Sequence, residues 1–415
     1  MIEQMKPSGI DWIGEIPTDW NIKRVKYLAS LKGRIGWQGL TSDEYIDEGP
    51  FLITGIDFCN GGIDWENCVH ITEERWAEAP EIHIHNGDLL ITKDGTIGKV
   101  AIVDNLTSKA SLNSGVLLIR PQADYDKKFL FWVLQSDEFW TWFKLKNAGN
   151  STIVHLYQGD FAEFSYTFPR VEEQKAIANY LDVQCSKLDS IIADLEKQID
   201  TLQKYKKSLI TETVTKGLDQ SVPVKDSGIE WIGQIPEHWT AKRLKYIMSV
   251  SSGDALTNED LGDGDYPVFG GGKQMGWNDR CNVRENTILI GRVGANCGCV
   301  SITNSDSWAT DNALIVRTKD YPKYVYYILQ AANLNRLNEA NAQPLITGYK
   351  VGNCVISYVD DREEQKNIAN YLDDICINLD YILAQKQQQL EIIIQHKKSL
   401  IYEYVTGKKR VAEVK

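Results

Sequence analysis

The sequence predicts an α+β chain written twice: two globular α/β domains separated by two long helices that pair as a coiled coil, with an internal pseudo-twofold repeat. Three observations carry this. The stretch from Glu172 to Gly217, "EEQKAIANYLDVQCSKLDSIIADLEKQIDTLQKYKKSLITETVTKG", returns without a gap from Glu363, 191 positions later. The segment Ser8 to Ser30, "SGIDWIGEIPTDWNIKRVKYLAS", returns from Ser227 to Ser249. Between these copies lie short apolar runs broken by Gly, Asp and Asn, the pattern of strands joined by tight turns.

In chain order, residues 1–30 form a turn-rich segment in which Trp12 and Trp20, matched by Trp231 and Trp239, are suited to pin the chain onto a core. Residues 31–171 form the first globular domain, with strand-like runs "PFLITGIDF", "GDLLITKDGTIGKVAIV" and "SGVLLIRP". Phe129, Trp132, Phe139 and Phe143 recur at helical spacing, which reads as core rather than as a base-stacking row. Residues 172–217 form the first long helix. Glu172 and Glu173 suit the positive end of its dipole, Lys204, Lys206, Lys207 and Lys216 crowd the other end, and Gly217 is placed to cap it.

Leu181, Leu188, Leu195, Leu202 and Leu209 fall at a strict seven-residue interval, so one stripe of this helix is apolar. A helix of about 40 residues rises roughly 60 Å, more than one domain needs for its own core. Residues 218–249 hold a linker and the second turn segment, and residues 250–362 the second globular domain. There "NTILIGRVGANCGCVSIT", "DNALIVRT" and "YVYYILQ" match the first domain in order, with little agreement between the matched pieces. Residues 363–407 form the second long helix, whose stripe holds Leu372, Leu379, Ile393 and Leu400, with Lys386 where the first copy has Leu195. That substitution is expected to make the seam wettest near its middle. Residues 408–415 are a basic tail expected to fray. Heptads alone allow either pairing direction; the linker and the internal symmetry favour an antiparallel pair.

Composition narrows the function. A chain of 415 residues with 43% hydrophobic content has room for two to four domains. No apolar run is of membrane-spanning length and no leader pattern opens the sequence, so the expected location is cytoplasmic. Eight cysteines without a CxxC pair read as reduced thiols, and Cys281, Cys297 and Cys299 lack the spacing of a zinc site. A net charge of −12 has the wrong sign for a protein that wraps phosphates with its whole surface, so any nucleic-acid site must be local or shared with partners.

Catalytic constellations are absent. "GTIGK" at Gly95 to Lys99 and "FGGGK" fail the spacing of a phosphate loop, and no GxGxxG turn is found. Glu173 with Lys175, and Glu364 with Lys366, imitate part of a nuclease site but read as a solvated first helical turn. His83 and His85 lack a cluster that would complete a metal shell.

The two "EEQK-IANYLD" helices, the two "GI-WIG-IP--W" segments and the paired but dissimilar domains together resemble the DNA-specificity subunit of type I restriction-modification systems. The resemblance implies that the globular stretches are target recognition domains, each reading one half of a bipartite double-stranded DNA target. It implies that the helices pack antiparallel as a spacer. It also implies two modification subunits carrying S-adenosylmethionine and methylating adenine, joined by motor-nuclease restriction subunits, with no cofactor or catalytic residue on this chain.

Side-chain chemistry then selects candidate DNA contacts, since Lys and Arg suit phosphate or guanine and Asn and Gln suit adenine edges. In the first domain these are Lys93, Lys99, Asn113, Lys144, Lys146, Asn150, Thr152 and His155; in the second, Lys273, Arg280, Arg292, Asn296, Arg336, Asn341, Gln343 and Lys350. Two alternatives remain at this stage: a stand-alone DNA methyltransferase or nuclease with divergent motifs, and a coiled-coil adaptor that binds only proteins.

Overall fold

The computed structural model describes residues 4–34, 39–122, 125–148, 154–257, 261–338 and 345–411. The chain divides into two compact units, one of Met1–Asp194 with Gln389–Lys415 and one of Leu195–Gln388. The division falls inside both long helices, Val171–Lys216 and Arg362–Val405, which are 46 and 44 residues long.

In the first unit a four-stranded antiparallel sheet has the order Val100–Ile102, Leu89–Thr92, Val116–Pro121, Ala29–Gly33. A smaller sheet joins Ile46–Ile53 to Ala110–Leu112 in parallel and to Val69–His70 antiparallel. The second unit repeats the larger sheet with Met248–Ser252, Ala313–Thr318, Ile288–Gly291 and Val300–Ile302. It also repeats the smaller one: Tyr266–Gly270 pairs with Trp308–Ala309 in parallel and with Lys273–Asn278 antiparallel. The pieces that share little sequence therefore share a topology. Backbone hydrogen bonding fixes strand order without fixing side chains, so sequence could diverge while the ladder stayed.

The aromatic stretch is two helices, Lys127–Gln135 and Asp137–Lys146, broken at Ser136, whose ψ of 163° is extended. Phe129 and Phe139 are fully buried, and Trp132 and Phe143 nearly so.

Each turn segment is bolted to the start of a long helix. Ahead of that helix, Ser165–Phe168 pairs with Asn21–Arg24, and Val355–Tyr358 pairs with Thr240–Arg243. The indole N–H of the fully buried Trp20 donates to Glu173 at 3.1 Å, and that of Trp239 to Glu364 at 2.9 Å. The buried Gln174 accepts from the Asp126 amide at 2.9 Å, as Gln365 does from Tyr321 at 3.0 Å. Asp182 receives Lys128 and the Trp132 indole N–H, and Asp373 receives Lys323 and the Tyr327 hydroxyl.

Glu173 is thus not part of a solvated first turn: its side chain is 2% exposed and takes a bidentate ion pair from Arg410, which also reaches Asp19. The tail is correspondingly anchored through residue 411, with Lys408 donating to the Ile13 and Glu15 carbonyls. Residues 412–415 lie outside the described residues.

The helices run antiparallel. In the first unit the Tyr180 and Tyr404 rings meet at 4.5 Å, and Lys397 reaches Asp189 at 2.5 Å, so positions rise along one helix as they fall along the other. In the second unit Lys206 reaches Asp380 at 2.6 Å, and Ser357, just ahead of the second helix, donates to the Val214 carbonyl near the end of the first at 2.6 Å.

Leu181, Leu195, Leu372, Leu379 and Leu400 are buried, while Leu188, Leu202, Leu209, Ile393 and Lys386 are half-buried. A second row alternates with this one: Cys185, Ile192, Ile199, Lys206 and Thr213 on the first helix, and Cys376, Leu383, Leu390, Lys397 and Tyr404 on the second. Lys206 therefore belongs to the seam rather than to a cationic cap, and Lys204 and Lys216 pair with Asp200 and Glu212 on their own helix. Gly217 does end the helix, at a φ of +75° that glycine adopts without strain, its N–H bonded to the Thr213 carbonyl at 3.0 Å.

Candidate nucleic-acid interface

At one end of the larger sheet in each unit, loops distant in sequence are laced together by backbone hydrogen bonds. In the first unit Lys93 follows the inner strand Leu89–Thr92. Its N–H donates to the Gly115 carbonyl at 2.8 Å, and its own carbonyl accepts from Leu156 at 3.0 Å. Asn113 donates its amide N–H to Ile53 at 2.9 Å, and its side chain reaches the Tyr45 hydroxyl at 3.3 Å. The Lys99 ammonium and the Thr96 hydroxyl both donate to the Gly55 carbonyl, at 3.2 and 3.4 Å. His155 contacts the Asp94 carboxylate directly.

The structure therefore gathers Lys93, Lys99, Asn113 and His155 into one cluster. Lys144 and Lys146 are exposed on the helix Asp137–Lys146, whose Trp140 ring packs against Gly98 beside the cluster, and Lys146 pairs with Asp160 at 3.1 Å. Asn150 and Thr152 lie outside the described residues.

Three positions in this cluster escaped the choice by side-chain chemistry. Ile56 is 81% exposed at the tip of the turn after Ile46–Ile53. Asp57 braces that turn, its buried carboxylate accepting from the Thr54 amide and hydroxyl at 2.6 and 2.9 Å, while burial raises its pKa. Asp94, absent from that choice, holds the His155 ring through its carboxylate. An exposed isoleucine between glycine and aspartate was the available signal for the turn, and an apolar contact to a thymine methyl is the chemistry it can supply.

In the second unit Lys273, Arg292 and Asn296 gather at the equivalent end. Lys273 closes the hairpin through Gly271 and Gly272, and Asn296 ends the 3-10 turn Gly294–Asn296. Arg292 is considered below. Arg280 sits elsewhere, its guanidinium 6.0 Å from the Trp308 ring. Arg336 and Lys350 line a separate cleft of about 480 Å³ with Trp231, the Arg336 guanidinium lying 5.0 Å from that indole. Asn341 and Gln343 lie outside the described residues.

Among the described residues no group of three or more His, Cys, Asp or Glu side chains is placed to hold a metal ion, and no helix is long and apolar enough to cross a membrane. Cys297 is buried and Cys299 exposed.

The family model for the type I restriction modification DNA specificity domain matches this chain twice, over residues 17–202 and 236–392. The chain belongs to that family. A Methanocaldococcus jannaschii protein provisionally named the type I restriction enzyme MjaX specificity subunit is 26% identical, over 96% of each chain. The MjaVIII specificity subunit of the same organism is 28% identical, over 57% of this chain and 51% of its own length. The fold matches a chain solved in work on complex assembly and conformational transition of the type I R-M system, with a TM-score of 0.68, 15% identity, and coverage of 95% of this chain and 99% of that one. For a member of this DNA specificity family, the duplicated match explains the duplicated scaffold, since each copy comprises a turn segment, a sheet domain and the start of a long helix.

Proposed function

We propose that this chain is the non-catalytic DNA sequence-recognition subunit of a type I restriction-modification complex. Each unit's loop cluster contacts one half of a bipartite target. The long helices set the spacer between the halves and dock two modification subunits, which carry S-adenosylmethionine and methylate adenine; restriction subunits join the assembly. The observation that supports this best is the contrast within the chain. The bolts between turn segment and helix repeat residue by residue, as in Trp20–Glu173 and Trp239–Glu364, while the loop clusters share a frame and differ in side chains. Two identical partners need identical seats, whereas two half-sites of different sequence need different readers. Sharing the DNA backbone with partners also suits a chain of net charge −12.

Mapping methylated adenines in cells that express the chain with its modification subunits tests the reading. A split motif with a fixed spacer is expected, and its bases should change when this chain is exchanged. Methyl transfer by the purified chain alone would make it an enzyme in its own right. No sequence-dependent protection of DNA by the assembled complex would leave only a protein adaptor.

A further inference from the structure

Granting that the loop clusters face DNA, their hydrogen-bond frames can be aligned position by position. The Thr92 amide donates to Lys99 at 2.9 Å, and the Gly291 amide to Cys299 at 2.8 Å. The Asn113 amide donates to Ile53 at 2.9 Å, and the Thr310 amide to Phe269 at 2.9 Å. Arg292 donates its N–H to Asn312 and accepts from Ile346, both at 2.9 Å, as Lys93 does with Gly115 and Leu156. Lys93 and Arg292 thus hold one place in the two frames.

Their side chains also take one direction. A Cβ on Gly33, the last residue of Ala29–Gly33, would lie 3.8 Å from the Lys93 ammonium nitrogen. The Arg292 guanidinium reaches the hydroxyl of Ser252, the last residue of the equivalent strand Met248–Ser252, at 3.4 Å. Around this shared cation the frames differ: Asp94 corresponds to Val293, Lys99 to Cys299 and Asn113 to Thr310.

We infer that Lys93 and Arg292 are sequence-independent phosphate anchors, one in each reading domain, and that base choice lies with the dissimilar side chains around them. Either cation could read a guanine, but two half-sites of different sequence give no reason for a guanine at the same place in both frames, whereas the phosphate backbone recurs there whatever the sequence. Lysine and arginine are good equivalents for a phosphate, which accepts from either. Among the described residues no ion pair neutralises either cation, and the Arg292 guanidinium donates to two neutral groups, the Ser252 hydroxyl and the Asp311 carbonyl, both at 3.4 Å. A fixed anchor at one point of each frame lets the surrounding loops change without losing the register of the domain on the duplex.

The test uses the full chain assembled with its modification subunits, and anisotropy titrations on three duplexes: the mapped target and two versions with one half-site scrambled. Lys93→Gln and Arg292→Gln are each expected to weaken binding to all three by the same factor. Each should also reduce the slope of log affinity against log salt by about one, the loss of one phosphate contact. Lys93→Arg and Arg292→Lys should restore wild-type affinity and leave the methylated motif unchanged. A changed ratio between target and half-scrambled duplex, or a motif altered by either charge-preserving exchange, would show that the cations read bases. Unaltered affinity and slope in the Gln variants would show that they do not touch DNA. A wild-type complex that does not prefer the target would instead refute DNA reading itself.

Discussion

Glu138 is fully buried on the first helix turn after Ser136, and its carboxylate has no well-formed hydrogen bond; the Thr167 peptide N–H offers only a partial offset. Burial pushes its pKa from 4.5 up to about 8, and the neighbouring Tyr166 and Tyr402 hydroxyls are raised as well. The folded value lies above the unfolded one, so the protonated acid is the native form. Its contribution to stability is fully present below pH 4.5 and is lost as pH rises through about 8. Glu138→Gln should abolish that slope and stabilise the first unit at pH 9 by about a few kcal/mol, read from urea unfolding across pH. A parallel pH dependence in the variant would move the effect to another group. Arg410→Met acts in the opposite sense, since it leaves Glu173 buried with only the Trp20 indole; a loss of about 3 kcal/mol is expected, mostly recovered when Glu173→Gln is added.

The seam of the two helices mixes residues of different energetic weight. Leu195 is 7% exposed, and its truncation to Ala should cost roughly 2–4 kcal/mol. The pairs Lys397–Asp189 and Lys206–Asp380 have aspartates more than half exposed, so Lys397→Ala should cost no more than about 1 kcal/mol. Denaturant midpoints of the two variants compared side by side check the ranking. The lysines then serve direction and register, because each meets its aspartate only in the antiparallel alignment. The leucine row was legible in the sequence because one residue type recurs every seven positions. The alternating row was not, because Cys185, Ile192, Ile199, Lys206 and Thr213 share a face without sharing a chemistry. The smaller sheets were hidden for a different reason: Val69–His70 and Trp308–Ala309 are too short to show a period of two. Similarly, the matched runs "LLIT" and "ILIG" put Lys93 opposite Arg292 on paper, but the contacts of Asn113 with Ile53 and Tyr45 span 60 or more positions, which no local pattern reports.

On the scale of the chain, both long helices cross the division between the units, so they are the covalent link from one reading domain to the next. At about 1.5 Å per residue, a heptad inserted after Asp194 and another after Gln388 lengthens each helix by roughly 10 Å and preserves the seam, because both rows keep their seven-residue repeat. A single heptad in one helix alone would leave seven residues without seam partners and should destabilise the pair. If the helices set the spacer, the double insertion shifts the methylated motif to a longer gap, by up to about three base pairs on rise alone at roughly 3.4 Å each, while every specified base stays the same. The seven added residues turn each helix by about 700°, close to two full turns, so the domains nearly keep their orientation about the helix axes. The DNA, by contrast, turns about 100° over three base pairs, and that mismatch is expected to lower affinity for the new target relative to the original pair. Sequencing methylated adenines with the double-insertion chain decides the matter. An unchanged gap would assign the spacer to the loops rather than the helices, and altered bases at an unchanged gap would place the insertions' effect inside the reading domains.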